Sequence, residues 1–206
     1  MTYPKVYVSD IKLNEFEILS GIEIDGVGIK INISKLEELK STLKQFSVEK
    51  IFITQVADFK LIEALIDTLG KEITLQIQDT SLSINTLALI KKNFENIKII
   101  APVNVNFEDA LDKATKLDEI VDCIFVCAQR KEKSKLTENW QKAAIINLKT
   151  QKPIILAGRL NADNIHQAIK IVKPFAVSVI SGVKNDGNVS CDKLVNFLKN
   201  TKRMEA

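Results

Sequence analysis

The sequence contains little histidine and no long apolar run, and each shortage excludes a class of protein. His166 is the single histidine, so a histidine-rich metal site is excluded, although a cation held by carboxylates is not. No apolar run approaches the ~20 residues that a membrane-spanning helix needs. The N-terminus, MTYPKVYVSD, lacks the apolar core of a secretory signal. We therefore predict no membrane partner, no metal and no cofactor.

Cysteine and aromatic residues are also scarce. The three cysteines, Cys123, Cys127 and Cys191, are an odd number without the spacing of a metal site, which is typical of a reduced, cytoplasmic protein. The net charge of +3 is too small to indicate a nucleic-acid partner, and the aromatic residues do not alternate with a basic patch. We predict a cytoplasmic protein that does not bind nucleic acid.

The composition is that of a globular protein with a sizeable core. Apolar residues make up 46% and charged residues 27% of the 206 positions, a length that suits one barrel-sized domain or two small ones. No linker, low-complexity tract or charge block divides the chain. We predict a single domain over residues 1–206.

Eight short apolar runs rich in β-branched residues recur along the chain at intervals of about 22 to 30 residues, the length of one β/α unit. These runs are 5–9, 26–31, 50–54, 73–77, 97–101, 123–127, 154–157 and 176–180. Amphipathic segments lie between them, and the predicted helices are 35–46, 59–69, 82–94, 107–120, 137–148, 161–172 and 192–202. Short polar residues that can cap the first helical amides mark helix starts at Ser34, Asp58, Ser81, Asn106, Thr137 and Asn161.

Strands that alternate with helices predict a parallel sheet, and eight such units in a short chain favour closure into a barrel. The alternative, an open doubly wound sheet, usually has a glycine-rich first turn, and residues 9–12 read Ser-Asp-Ile-Lys instead. The first unit is the weakest, because residues 13–20 can hold only a short helix. We predict an α/β fold, a single (β/α)8 TIM barrel.

Residues 152–187 are the most informative stretch. They form a strand–helix–strand pattern whose strands end in the small-residue turns Gly158-Arg159 and Ser181-Gly182. In a (β/α)8 barrel the last two units commonly build a phosphate site at the carboxyl ends of their strands. This placement predicts a small phosphorylated metabolite as the partner.

The same stretch resembles the phosphoribosylanthranilate isomerase family. Members carry segments like P-x-I-L-A-G-G-L-N-P-x-N-V and V-D-V-S-S-G-V-E, and this chain reads PIILAGRLNADNI at 153–165 and VSVISGVK at 177–184. Weaker agreement includes LQIQD at 75–79 beside the family's V-Q-L-H-G, and ENW at 138–140 beside its Phe-Asp-Trp-like segment. The resemblance implies a (β/α)8 barrel that catalyses an Amadori rearrangement in tryptophan biosynthesis.

That reaction needs a general acid at the sugar ring oxygen, a general base at C2 and an anchor for the phosphate. By the resemblance, Ser9 stands where the family has its cysteine base and Cys127 where it has its aspartate acid, so the usual pair is absent. A relocated pair of Asp10 carboxylate and Cys127 thiol is one alternative, and a buried, inert Cys127 is another. The candidate catalytic residues are therefore Ser9, Asp10 and Cys127.

The phosphate anchor of the family also differs here. The resemblance implies backbone amides at the turns after strands seven and eight, with a glycine-rich loop after strand six, and residues 130–135 contain no glycine. Arg159 replaces a second glycine, Ser178 an aspartate and Lys184 a glutamate. The candidate ligand-binding residues are Gly158, Arg159, Ser181, Gly182 and Lys184.

Basic side chains are predicted to gather at this end of the barrel, where they either bind the anion directly or form a solvated charged surface. They are Arg130, Lys131, Lys133, Lys135, Arg159 and Lys184. Three functions stay open: an isomerase of this type, a non-catalytic paralogue that binds an anionic metabolite, and a scaffold. A homodimer is possible in each case.

Overall fold

Eight parallel strands pair in chain order, and the barrel closes because β1 pairs with both β2 and β8. The computed structural model describes residues 3–128 and 136–202. The strands are β1 Lys5–Ser9, β2 Gly26–Lys30, β3 Glu49–Thr54, β4 Thr74–Ile77, β5 Lys98–Asn104, β6 Cys123–Cys127, β7 Ile154–Ala157 and β8 Ala176–Val179. The predicted (β/α)8 TIM barrel is confirmed, whereas the assignment of residues 1–206 to one domain stays a prediction.

Helices follow the strands and surround the barrel. They are α1 Phe16–Leu19, α2 Leu36–Leu43, α3 Phe59–Leu69, α4 Ile84–Asn93, α5 Ala110–Leu117, α6 Leu136–Lys149, α7 Ile165–Val172 and α8 Cys191–Thr201. The first helix is a single turn, as its short segment predicts. A two-stranded hairpin, β9 Lys184–Asn185 and β10 Asn188–Val189, lies between β8 and α8. Among the described residues, every helix is too short or too polar to cross a lipid bilayer.

Helix starts follow local hydrogen bonding, and several predicted caps are wrong. Asp58 does cap α3, since its side chain accepts the Lys60 amide. The cap of α4 is Ser83, because Ser81 instead bonds to Asp79. The other four predicted positions also lie inside or ahead of the helices they were predicted to cap; they are Ser34, Asn106, Thr137 and Asn161. Neighbouring short polar residues compete for the same amides, so the pattern gives the region of a helix start and leaves the residue open.

Alternation along the strands builds two apolar clusters. Outward residues such as Val8 and Val126 pack against the helices in the larger cluster. Inward residues fill the barrel, including Tyr7, Ile53 and Ile155. Because side chains alternate, the residues at 9, 127 and 178 take the same inward direction as those at 7, 125 and 176.

Polar side chains close the amino-terminal end of the barrel interior. The Tyr7 hydroxyl donates to Glu49 Oε2 at 2.9 Å, and Lys5 Nζ lies 3.3 Å from the same oxygen. Burial, and then the charge of Glu49, raise the pKa of Tyr7 far above its ordinary value. Burial also raises the pKa of Cys123 to about 12. Gly26 leaves room for this packing, since a Cβ there would lie 2.8 Å from the Glu49 carbonyl oxygen.

Candidate active site at the carboxyl ends of the strands

A cavity of about 400 Å³ opens at the carboxyl ends of β3 to β8, and we call it the mouth cavity. Its lining residues are Gln55, Gln78, Thr80, Pro102, Val103, Asn104, Phe125, Cys127, Ala157, Gly158, Arg159, Leu160, Ser178, Ile180 and Ser181. This end of a (β/α)8 barrel is where such enzymes carry their active sites. Four candidate residues line it together: Cys127, Gly158, Arg159 and Ser181.

Two turns form one side of the mouth cavity, and we call residues 158–160 and 181–183 the rim turns. Gly158 and Arg159 both have positive φ, 111° and 51°, so the chain reverses sharply after β7. Gly182 packs directly on the first turn, because a Cβ there would overlap the Leu160 carbonyl oxygen. Gly182 therefore lies behind the cavity wall, and its lack of a side chain lets the rim turns approach each other.

Asparagine side chains fix the turn after β7. The Arg159 carbonyl accepts a hydrogen bond from Asn164 Nδ2 at 2.9 Å, and Asn164 Oδ1 accepts the Asn161 amide at 2.9 Å. Asn161 Oδ1 in turn accepts the Asp163 and Asn164 amides. These bonds explain how Arg159, a residue other than glycine, holds a left-handed conformation at the cavity wall.

Ser9 lies beneath the mouth cavity. Its side chain is buried, and its Oγ lies 2.8 Å from Ser178 Oγ, which does line the cavity. Gly28 on the neighbouring strand makes the space, since a Cβ there would lie 2.6 Å from Ser9 Oγ. The two hydroxyls can pass a hydrogen bond from the barrel interior to a ligand, and neither ionises near neutral pH.

Cys127 stands on the wall of the mouth cavity. It pairs in register with Asn104 on β5 and Ala157 on β7, and both of these residues also line the cavity. The thiol is partly exposed. This partial exposure is at odds with the buried, inert alternative, while a catalytic role for Cys127 stays a prediction.

Asp10 is directed away from this cavity. Its backbone is left-handed, with φ 60°, and its carboxylate forms an ion pair with Lys30 at 2.8 Å. Asp10 lines a neighbouring depression together with Ile11 and Lys12. The relocated pair of Asp10 and Cys127 is therefore not assembled, because the turn at Asp10 takes its side chain off the inward face of β1.

The side chain of Lys184 also makes its contacts away from the mouth cavity. Its side chain is only 8% exposed, with Nζ 3.8 Å from Glu15 Oε2 and 2.5 Å from the Asp10 carbonyl oxygen. It does not line the mouth cavity. Direct ligand binding by Lys184 is thus at odds with this geometry, because the ammonium group faces a buried carboxylate. The basic residues Arg130, Lys131, Lys133 and Lys135 lie outside the described residues.

Neutral polar side chains at the carboxyl ends of β3, β4 and β5 complete the cavity. Gln55 Nε2 donates to Gln78 Oε1 at 2.5 Å, and Asn104 and Phe125 stand beside them on the wall. Gln76 also points inward, but it is buried deeper in the barrel. The sequence reasoning missed Gln55, Asn104 and Phe125. Side chains alternate between inward and outward along a strand. Counting this alternation to the carboxyl end of each strand could have identified these three residues from the sequence.

Charge is sparse on this wall. Of the described lining residues, only Cys127 and Arg159 are ionisable, and none is an aspartate or glutamate. The described ranges also contain no group of three histidine, cysteine, aspartate or glutamate side chains placed to bind a metal ion. The described part of the cavity thus offers one thiol, one cation, hydroxyls and amides to a ligand.

Comparison with known proteins places these features in a family. Residues 76–200 match the family model of N-(5'-phosphoribosyl)anthranilate (PRA) isomerase. The N-(5'-phosphoribosyl)anthranilate isomerase of Thermoanaerobacter pseudethanolicus is 27% identical over 195 residues, which cover 86% of this chain and 96% of that protein. That of Methanocaldococcus jannaschii is 35% identical over 104 residues, covering 48% of this chain and 46% of the relative.

Solved structures show the same architecture. Phosphoribosylanthranilate isomerase from Thermococcus kodakaraensis superposes with a TM-score of 0.76 at 20% identity, covering 98% of this chain and 100% of that one. Monomers made from the dimeric enzyme of Thermotoga maritima give 0.77 at 21% identity, covering 97% and 98%. A phosphoribosylanthranilate isomerase in complex with reduced 1-(o-carboxyphenylamino)-1-deoxyribulose 5-phosphate gives 0.75 at 22% identity, covering 97% and 98%. At these identities the structural likeness shows the fold alone.

Proposed function

Because this chain belongs to the N-(5'-phosphoribosyl)anthranilate isomerase family, we propose that it isomerises a phosphorylated aminosugar by the Amadori rearrangement of tryptophan biosynthesis. The observation that carries the proposal is the mouth cavity, which has the rim turns on one side and the Cys127 thiol on its wall. A small phosphorylated metabolite is the ligand that this combination suits.

The rim turns are proposed to hold the phosphate. Tight turns at the end of β7 and β8 present backbone groups to an anion without needing charged side chains. Gly158 and Ser181 line the cavity, and Arg159 adds a permanent positive charge to the same wall. The sugar and the aromatic amine then extend toward Phe125, Gln78 and Gln55.

Cys127 is proposed as the proton-transfer group. A proton from the thiol goes to the ring oxygen as the C1–O bond breaks, and the amine nitrogen lone pair forms the C1=N bond. The resulting thiolate then takes the C2 proton, which gives an enolamine that tautomerises to the aminoketose. The step is an isomerisation, so atoms and electrons balance without a further reactant. A thiol that has given up its proton is itself a base, so one group can act first as the acid and then as the base.

Ser178 and Ser9 are proposed to assist as a hydrogen-bonded pair of hydroxyls below the reacting sugar. Their 2.8 Å contact lets Ser178 donate to the ligand while it accepts from Ser9. Because neither hydroxyl ionises near neutral pH, they orient the substrate and leave the proton transfers to Cys127.

The test is a turnover assay of the purified protein with N-(5'-phosphoribosyl)anthranilate, following the loss of substrate fluorescence. We expect turnover that Cys127→Ala lowers by about a hundredfold or more, the usual contribution of a general acid or base. Cys191→Ala is the matched control, since Cys191 is exposed on α8 and lies outside the cavity. Equal rates for both variants would remove Cys127 from the mechanism.

A second candidate function is binding of the same ligand without turnover. The observation that favours it is the lack of any aspartate or glutamate among the described residues of the cavity wall. Calorimetry with 1-(o-carboxyphenylamino)-1-deoxyribulose 5-phosphate separates the two functions. Saturable binding with no turnover would select the binding protein, and neither binding nor turnover would leave both proposals unsupported.

We also propose a homodimer and a cytoplasmic location. The dimeric relative from Thermotoga maritima supports the first, and the biosynthetic role of the family supports the second. Sedimentation equilibrium tests the assembly: a mass of one chain at micromolar concentration contradicts the dimer.

A further inference from the structure

A buried carboxylate joins the beginning and the end of the chain. Glu15 is 1% exposed and lies between β1 and α1. Its Oε2 accepts the Lys12 amide at 2.8 Å, and its Oε1 accepts the Val189 amide at 2.7 Å. One side chain therefore holds the loop after β1 and the hairpin after β8 by two backbone hydrogen bonds.

Lys184 completes this junction from the other side. Its side chain is 8% exposed, and Nζ lies 3.8 Å from Glu15 Oε2. The same Nζ donates to the Asp10 carbonyl at 2.5 Å. Lys184 thus contacts both the residue that follows Ser9 and the carboxylate that holds the hairpin.

The position of Lys184 in the chain ties this junction to the ligand. It directly follows the second rim turn, which contains Ser181 and Gly182. The Val183 carbonyl accepts the Ser190 amide at 2.9 Å, so the turn and the hairpin are one hydrogen-bonded unit. The contacts of Lys184 therefore connect the second rim turn to the end of β1.

We propose that the buried Lys184–Glu15 ion pair is a positioning device that holds the second rim turn in register with the end of β1. The ligand part of this proposal rests on the proposed function, since it takes the rim turns as the anion site. Lys184 acts through the backbone and is a positioning residue, with no contact to the ligand.

A buried ion pair suits this role better than it suits stabilisation. Bringing two charges out of water offsets much of their attraction, so such pairs add little net stability. Removing one partner leaves the other charge buried and unpaired, which disfavours the arrangement strongly. The pair thus selects one geometry of the two loops over alternatives in which either charge lacks its partner.

The variants that test the proposal are Lys184→Met, Lys184→Arg and Lys193→Met. Lys184→Met removes the buried charge, and Lys184→Arg restores it with a different shape. Lys193→Met is the matched control, because Lys193 Nζ is exposed and donates to the Lys184 carbonyl at 3.0 Å. It removes one positive charge near the same hairpin without removing a partner of Glu15, so it reports the effect of charge alone.

Two measurements by NMR separate the device from the anion site. The first is amide hydrogen exchange of Lys12 and Val189 in the free protein. We expect Lys184→Met to accelerate this exchange by about tenfold, since Glu15 loses its partner, and Lys193→Met to leave it unchanged.

The second measurement is titration with inorganic phosphate followed at the Gly158 and Gly182 amides. We expect the dissociation constant for phosphate to rise about tenfold in Lys184→Met. In Lys184→Arg it should lie within about threefold of the value for the unaltered protein.

Each outcome decides one question. Exchange rates and phosphate affinity that are equal in Lys184→Met and Lys193→Met would overturn the positioning role. Failure of the unaltered protein to bind phosphate would instead overturn the anion site of the proposed function. In that case the exchange rates alone would test whether Lys184 positions the two loops. Weakened phosphate binding with faster exchange, rescued by arginine, supports both.

Discussion

Cys123 and Cys127 are the first and last residues of β6, face the same way, and differ in almost everything else. Cys123 is buried at the amino-terminal end, where its Sγ donates to the Pro153 carbonyl at 3.0 Å and burial raises its pKa to about 12. Cys127 is partly exposed on the wall of the mouth cavity. Depth along the strand therefore decides whether an inward thiol is buried in the core or partly exposed to the cavity.

The same contrast holds for the two ends of the barrel interior. The amino-terminal end is filled by Tyr7, Glu49 and Lys5, which satisfy each other. The carboxyl end is left open and is lined by hydroxyls, amides and a thiol. By analogy with other (β/α)8 barrels, we expect changes at the closed end to act mainly on stability and changes at the open end mainly on the proposed chemistry.

The largest effect is expected from a pair of glycine variants. Gly182→Ala forces a Cβ onto the Leu160 carbonyl oxygen and should cost about 3 kcal/mol of unfolding free energy while abolishing phosphate binding. Gly26→Ala at the closed end meets Glu49 and Tyr7 and should destabilise by a similar amount. Urea denaturation measures both, and phosphate titration should separate them. Loss of phosphate binding in Gly26→Ala would break the division between the two ends.

A smaller effect is expected from Tyr7→Phe. The change removes the hydroxyl that donates to Glu49 at 2.9 Å and leaves a partly buried carboxylate with one fewer partner. We expect a loss of about 1 to 2 kcal/mol in unfolding free energy and no change in turnover. Ser178→Ala is the counterpart at the open end: it should lower turnover, and it should also cost about 1 to 2 kcal/mol because the buried Ser9 hydroxyl loses its partner. Equal effects of the two variants on turnover would contradict the comparison.

The pH dependence of the unfolding free energy should reflect the buried thiol and phenol at the closed end. The folded pKa of Cys123 is about 12, above the 9.0 of a free thiol, so the unfolded chain loses its proton first as the pH rises. Stability is therefore lost between pH 9 and 12, by up to about 1.4 kcal/mol per pH unit, and Tyr7 acts in the same direction at higher pH. Cys123→Ala should make this loss shallower. Urea melts at pH 8 and about pH 10 compare this variant with the unaltered protein.

Much of the fold was accessible from sequence because it depends on local pattern. The bounds of β1, β6, β7 and α3 match their predicted segments residue for residue. Apolar alternation and helical spacing suffice there, since each segment carries its own signal. The turns at Gly158 and Ser181 were also found, because their small residues follow buried strands directly.

The site was less accessible because it depends on contacts between distant parts of the chain. The side chain of Asp10 points away from the cavity because its backbone is left-handed, and no local sequence pattern predicts that conformation. Lys184 turns toward Glu15, and the two residues belong to the last and first β/α units. Only closure of the barrel between β1 and β8 brings them together. Gln55 and Asn104 look like ordinary surface polar residues until the strand ends are placed.

The location of the ligand at Cys127 is the central claim, and thiol protection tests it most directly. The measurement is the rate of iodoacetamide labelling at Cys127 and Cys191, read by mass spectrometry, with and without 1-(o-carboxyphenylamino)-1-deoxyribulose 5-phosphate. Both thiols are accessible in the structure, and Cys191 on α8 reports non-specific effects. We predict that saturating ligand slows labelling of Cys127 by about tenfold or more and leaves Cys191 unchanged. Bound ligand with undiminished labelling of Cys127 would place the site elsewhere and contradict the account.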